Sequence, residues 1–169
     1  MRTSEVVHIL DALEHAGVRY WLTGEWGVDA LHGEATREHR DLDLAVDADT
    51  FETARTTLEA TGFTAETDWL PVRLEMVGGP GGWADLHPVR FDSAGNGVQQ
   101  GLDDVTFPYP AADLVVGSIA ARRVPLHLAP VAGRVSCWVR PEAPGSSRPQ
   151  HPRRPRGALE PMATTGQFS

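Results

Sequence analysis

The chain has 169 residues, a net charge of -8 and a single cysteine, Cys137, and all fifteen of its basic residues are arginine. That length buries one core without covalent staples, and one cysteine excludes both an intrachain disulfide and a cysteine-rich zinc site. Without lysine there is no P-loop and no Schiff-base chemistry, and an acidic surface excludes a sequence-independent nucleic-acid binder while drawing in cations.

The first segment, "MRTSEVVHILDALEHAG", is helical in pattern, with Val6, Ile9, Leu10 and Leu13 on one face, Thr3 or Ser4 as N-cap and Gly17 as stop. Its charges break the apolar centre that a signal peptide needs, and no run is long enough to span a membrane. A soluble, cytoplasmic protein is the expectation, with no membrane and no nucleic acid among its partners.

"VRYWLTG" reads as a short buried strand, residues 25 to 33 as a helix ending at Gly33, and "DLDLAV" as a strand of alternating polarity. "DTFETARTTLEATG" is a helix capped by Asp49 or Thr50, lined by Phe51, Ala54, Leu58 and Ala60, and closed by Gly62. "PVRLEMVGGPGGWADLHPV" alternates as two strands around a "GGPGG" turn, and "ADLVVGSIAARRVPLHL" as a further strand pair. The fold class predicted is α/β (α+β), a mixed β-sheet flanked by helices.

Beyond residue 128 the pattern is lost. Residues 141–169 hold six of the thirteen prolines, and their only large apolar side chains are Leu159, Met162 and Phe168. Such a stretch cannot bury enough surface to offset its ordering entropy. The division is therefore a folded unit over 1–128 and an atypical Pro/Arg-rich tail over 129–169, disordered or derived from a frameshift near Val124 to Leu128. Reading the gene in its other frames tests the frameshift: a helical continuation is expected.

The chemistry concentrates in "EHRDLDLAVDAD" (38–49). Strand alternation sends Asp41 and Asp43 to one face while Leu42 and Leu44 enter the core. Two carboxylates so close raise each other's pKa unless a cation lies between them, and magnesium, with its preference for oxygen and its exchangeable waters, suits such a pair. Taken alone, the pair reads more readily as a solvated turn at a strand end.

Two other segments change that balance. In "WLTGEWGVDALHG" a glycine stands where strand meets helix, a place where phosphate approaches helix-terminal N–H groups, although a tight turn is the plainer reading. In "GGWADLHPV", Asp85 lies on a strand that would run beside the first, with Trp83 and His87 on its face. Three carboxylates on adjacent strands before a glycine-started helix make a site for metal-assisted attack on a nucleoside triphosphate.

In this order, G-E-W-G-V-D-A-L-H-G, T-R-E-H-R-D-L-D-L and D-L-H-P-V, the sequence resembles the aminoglycoside 2''-O-nucleotidyltransferases and the related lincosamide nucleotidyltransferases, members of the DNA polymerase β-like nucleotidyltransferase superfamily. The resemblance runs from about residue 3 to about residue 126. It implies the polymerase β-like fold and Mg2+-dependent transfer of a nucleoside monophosphate, usually AMP from ATP, to a hydroxyl of a small acceptor such as a cationic antibiotic, with release of pyrophosphate. By the same resemblance Asp41 and Asp43 hold the metal, and Asp85 is the general base and a further metal contact.

Gly24 matches the first glycine of the superfamily's phosphate turn. Glu25 stands where a second glycine or a serine is usual: its amide can still meet phosphate, but its carboxylate, if turned inward, opposes the nucleotide. Arg37 and Arg40 flank the acid pair and bind phosphate or pair with Glu38, Asp41 or Asp47. Arg73 either faces the cleft or does not. Asp29 is read as holding the loop before the metal strand, His87 as a structural hydrogen-bonding residue, Trp26 and Trp83 as core, and Glu38, Asp47 and Asp49 as surface or cap residues. Two other readings remain open: a protein-modifying nucleotidyltransferase of toxin–antitoxin type, and a weakly active nucleotide-binding remnant, the latter favoured by Glu25 and the tail.

Overall fold

In the computed structural model, which describes residues 1–34, 37–78 and 82–128 and the backbone at 130–131 and 134–135, the first apolar stripe forms helix α1 (Thr3–His15). Val6, Ile9, Leu10 and Leu13 are all buried, as their spacing requires. The cap is Arg2 rather than Thr3 or Ser4: Glu5 accepts from the Arg2 backbone N–H at 2.8 Å and from its Nε at 2.7 Å, so the first turn begins one residue early. Gly17, at φ 73°, takes the left-handed turn that ends the segment.

Strand β1 (Tyr20–Leu22) and helix α2 (Gly24–His32) follow, with Gly33 as the left-handed cap, and then strand β2 (Asp41–Asp47). A turn of 3-10 helix, Ala48–Thr50, leads into α3 (Phe51–Ala60). Thr50 stands at the N-cap of α3, but its hydroxyl bonds to the Asp47 carbonyl and the Arg19 N–H rather than capping the helix, and it is Asp47 that caps the 3-10 turn by accepting from the Asp49 N–H. Ala60 is exposed, so the apolar stripe of α3 stops at Leu58.

Three strands were not anticipated. Strand β3 (Phe63–Trp69) is a sheet edge with Phe63 alone buried, so it carries no alternation to read. After β4 (Arg73–Gly78) and the long β5 (Gly82–Phe91) come β6 (Gly97–Gln100) and β7 (Thr106–Tyr109), each too short to signal itself. Strands β8 (Leu114–Ile119) and β9 (Arg122–His127) form the expected final pair. Residues 79–81 of the "GGPGG" turn and 136–169 of the tail lie outside the described residues. The tail's first described residues, Pro130–Val131 (β10) and Arg134–Val135 (β11), pair antiparallel.

The main sheet has the order β3-β4-β5-β2-β1-β9-β8, with β6 and β7 attached through β5. Strand β5 serves two neighbours on one edge: its first half pairs with β4, and Val89 to Phe91 pair with β6. Along its other edge it runs parallel to the whole of β2.

The two faces of the sheet have different fates. Leu42, Leu44 and Val46 of β2 join Leu74, Met76, Ala84, Leu86 and the helices in one core, where each buried leucine contributes roughly 1.5–3 kcal/mol. On the other face, Ala45, Val89 and Tyr109 form a small second core with Trp21, Phe91, Phe107 and Leu114. Asp41 and Asp43 lie on that second face, both half-buried. Among the described residues, no helix is long and apolar enough to cross a membrane.

Candidate active site

Parallel pairing of β2 with β5 sets Asp43 directly opposite Asp85, Asp41 opposite Trp83 and Ala45 opposite His87. Asp43, Asp85 and His87 each offer one ligand atom, and these atoms lie within 4.8 Å of one another. Asp41 belongs to the same face but stands one pleat away, roughly 6.6 Å along the strand from Asp43. The carboxylates are thus grouped by register rather than by any loop.

Helix α2 begins against this group. The Thr23 N–H donates to the Asp43 carbonyl at 3.0 Å, and Gly24 has φ 61°. A Cβ on Gly24 would sit 2.8 Å from the Asp43 carboxyl carbon and would strike its oxygens. Only glycine lets the start of the helix lie against the acid, where its free N–H groups complement negative charge.

Arg73 faces the cleft, its Nη1 at 2.7 Å from Asp85 Oδ2 and its guanidinium stacked over Trp69 at 4.9 Å. Burial nevertheless pushes the Asp85 carboxyl up, and the Arg73 guanidinium offsets this only in part. Burial, then the neighbouring Asp43, pushes Asp41 up as well. The second oxygen of Asp85, Oδ1, is buried with no hydrogen-bond partner among the described residues. A buried lone pair left in this way is costly, and a hard cation satisfies it; carboxylate oxygens at this spacing suit such an ion.

The Glu25 carboxylate is engaged by the segment that leads into β2. It pairs with Arg37 and lies 3.0 Å from Nδ1 of the buried His39, whose Nε2 is 2.6 Å from Asp29. Trp26, 1% exposed, meets the His39 ring edge-on at 4.9 Å. So Arg37 pairs with Glu25 rather than with Glu38, Asp41 or Asp47, and Asp29 and Glu25 together fix the residue two before Asp41. Arg40 lies over Trp83 at 5.1 Å; Trp83 is half-buried at the site rather than part of the core. Asp47 is buried, not a surface residue, and pairs with Arg19 at 2.6 Å.

Asp43 and Asp85 open into a cleft of about 350 Å³ whose far wall comes from β3, β7 and the turns beside them. Trp69, Val72, Leu102, Val105 and Phe107 make that wall largely apolar. Leu102 and Val105 are 60% and 49% exposed, an unusual investment of apolar surface unless something covers it. Gln99 and Tyr109 line the floor, and neither gave a signal in the sequence because β6 and β7 meet the site only through the pairing of β6 with β5.

A family model described as aminoglycoside-2''-adenylyltransferase matches residues 5–130. A lincosamide resistance protein of Staphylococcus haemolyticus is 41% identical over 95 residues, 56% of this chain and 59% of that protein, so the chain spans less than two thirds of that relative. The lincomycin-bound structure of the lincosamide antibiotic adenylyltransferase LnuA matches with TM-score 0.69 and 32% identity, over 75% of this chain and 80% of that one. ANT(2'')-Ia in complex with adenylyl-2''-tobramycin shares the fold, with TM-score 0.60 and 21% identity over 74% and 68% of the two chains. The mixed sheet flanked by helices is the polymerase β-like nucleotidyltransferase fold, and the chain belongs to the aminoglycoside-2''-adenylyltransferase family.

Proposed function

We propose that the chain transfers AMP from ATP to a hydroxyl of a small antibiotic, with Asp41, Asp43 and Asp85 holding Mg2+ in a cytoplasmic enzyme whose catalytic unit is residues 1–128. The observation that carries this reading is the pairing of Asp43 with Asp85 across β2 and β5, against the glycine that starts α2. The metal, when bound, supplies the positive charge that lets a triphosphate approach these acids.

The chain's own residues do the rest. Asp85 takes the proton of the acceptor hydroxyl as its oxygen attacks the α-phosphorus and the bond to pyrophosphate breaks. Arg73 holds Asp85 in place from β4. Gly24 and the amide of Glu25 meet phosphate with backbone N–H groups, while the Glu25 carboxylate is held away by Arg37 and His39. That arrangement answers the objection Glu25 raises and favours an active enzyme over a remnant.

Of the two antibiotic classes, the apolar wall favours a lincosamide, with its hydrocarbon flank, over a polycationic aminoglycoside. The test is incubation of the full chain with α-labelled ATP, Mg2+ and panels of lincosamides and aminoglycosides, beside Asp43→Asn. Labelled lincosamide from the wild type and none from the variant is expected. Product that persists in Asp43→Asn overturns the site, and aminoglycoside product alone overturns the acceptor class.

A further inference from the structure

The ring of His87 is held from behind by a chain of two hydrogen bonds. Tyr109, buried at the floor of the cleft, donates its hydroxyl hydrogen to Gln99 Oε1 at 2.7 Å. Burial holds this phenol protonated, so it has a hydrogen to place. With Oε1 so engaged, the Gln99 amide turns Nε2 toward His87 Nδ1, 3.2 Å away.

An amide nitrogen donates and does not accept, so in this arrangement Nδ1 is the acceptor, which in a neutral ring places the hydrogen on Nε2. Nε2 in turn lies 3.9 Å from Asp43 Oδ1 and 4.0 Å from Asp85 Oδ2. Both distances are too long for a direct hydrogen bond. They leave room for one oxygen atom among the three side chains.

We propose that His87 is not a metal ligand but a hydrogen-bond donor to the attacking oxygen of the acceptor, and that Gln99 and Tyr109 are positioning residues that set its tautomer. The inference rests on the reading of Asp43 and Asp85 as the metal and acceptor site. Coordination through Nε2 needs a lone pair there, hence a hydrogen on Nδ1 and a reversed Gln99 amide. Reversal would set the amide NH2 against the Tyr109 hydroxyl and leave that hydroxyl's hydrogen without its acceptor. The donor role divides the hydroxyl's needs in two: His87 addresses the oxygen's lone pair, and Asp85 is left facing its hydrogen.

Nitrogen-15 NMR of the metal-free full chain at neutral pH, with His87→Gln to assign the ring, tests the tautomer. The expected result is a protonated Nε2 and an unprotonated Nδ1. Gln99→Glu replaces the donor by an acceptor and is expected to move the hydrogen to Nδ1. A wild-type ring with its hydrogen on Nδ1, or a ring indifferent to Gln99→Glu, overturns the proposal.

Pulsed electron paramagnetic resonance of the Mn2+-loaded chain supplies an independent reading. No directly coordinated imidazole nitrogen is expected; a coupling that disappears in His87→Gln overturns the proposal. If Mn2+ does not bind at all, it is the metal reading that fails, and the tautomer measurement still decides the role of His87.

Discussion

Asp43 and Asp85 face each other across two parallel strands, paired residue to residue, with Arg73 on Oδ2 of Asp85. At a separation of about 5 Å in a partly buried site, two such charges repel by a few kcal/mol. Divalent metal should therefore stabilise the protein as well as serve it. Mg2+ at roughly a hundredfold its Kd contributes about 2.7 kcal/mol, which for a chain of this size raises Tm by roughly 5–10 °C. Thermal unfolding with and without Mg2+ checks this, and Asp43→Asn should lose most of the shift.

Asp85→Asn should lower turnover by roughly 10²–10⁴-fold, the usual share of a general base, while leaving the metal-free protein no less stable. The sign follows from burial, which raises the native carboxyl above its unfolded value. Stability from this group is complete below the unfolded pKa of 3.8 and is lost as pH rises through the native value. The variant's stability relative to the wild type should then grow over that same interval, as denaturant titrations at a series of pH values would show.

Gly24→Ala places a methyl group against the Asp43 carboxylate at a left-handed backbone position. The backbone strain alone costs about 1–2 kcal/mol. Because the group displaced is the acid itself, activity should fall by far more than stability does. Turnover measured beside Tm separates the two; a variant that loses only stability would make Gly24 a turn residue and nothing more.

On the acid side the sensitive group is His127, stacked on Tyr109 at 4.0 Å and driven by burial down to about 4. Its unfolded counterpart takes up a proton near 6.5, so the stability it contributes is present above that value and falls as pH drops from 6.5 toward 4. The slope is at most about 1.4 kcal/mol per pH unit. His127→Gln should flatten the stability profile in that interval without altering it above pH 7.

The acids were legible because a strand's period of two is a strict rule: with Leu42 and Leu44 buried, Asp41 and Asp43 must share the other face. The glycine stop signals of α1 and α2 were legible for a similar reason, since Gly17 and Gly33 hold left-handed turns. The wall of the cleft was not. Trp69 lies on an edge strand that faces water, and Gln99 and Tyr109 lie on four-residue strands whose partner is fixed only by the tertiary fold. Nor did the sequence show where Glu25 points, because its partners Arg37 and His39 come from the segment beyond α2.

Strand β5 carries Asp85 and His87 where it pairs with β2, and holds β6 by its last three residues. Leu102, Val105 and Phe107 of the cleft wall are therefore joined to the acid-bearing strand through one short seam. A lineage can exchange the turn from Gly101 to Val105, and with it the molecules that fit, while Gln99, Tyr109 and the acids stay in register. Diversity of acceptor on a constant reaction is what such an attachment makes easy.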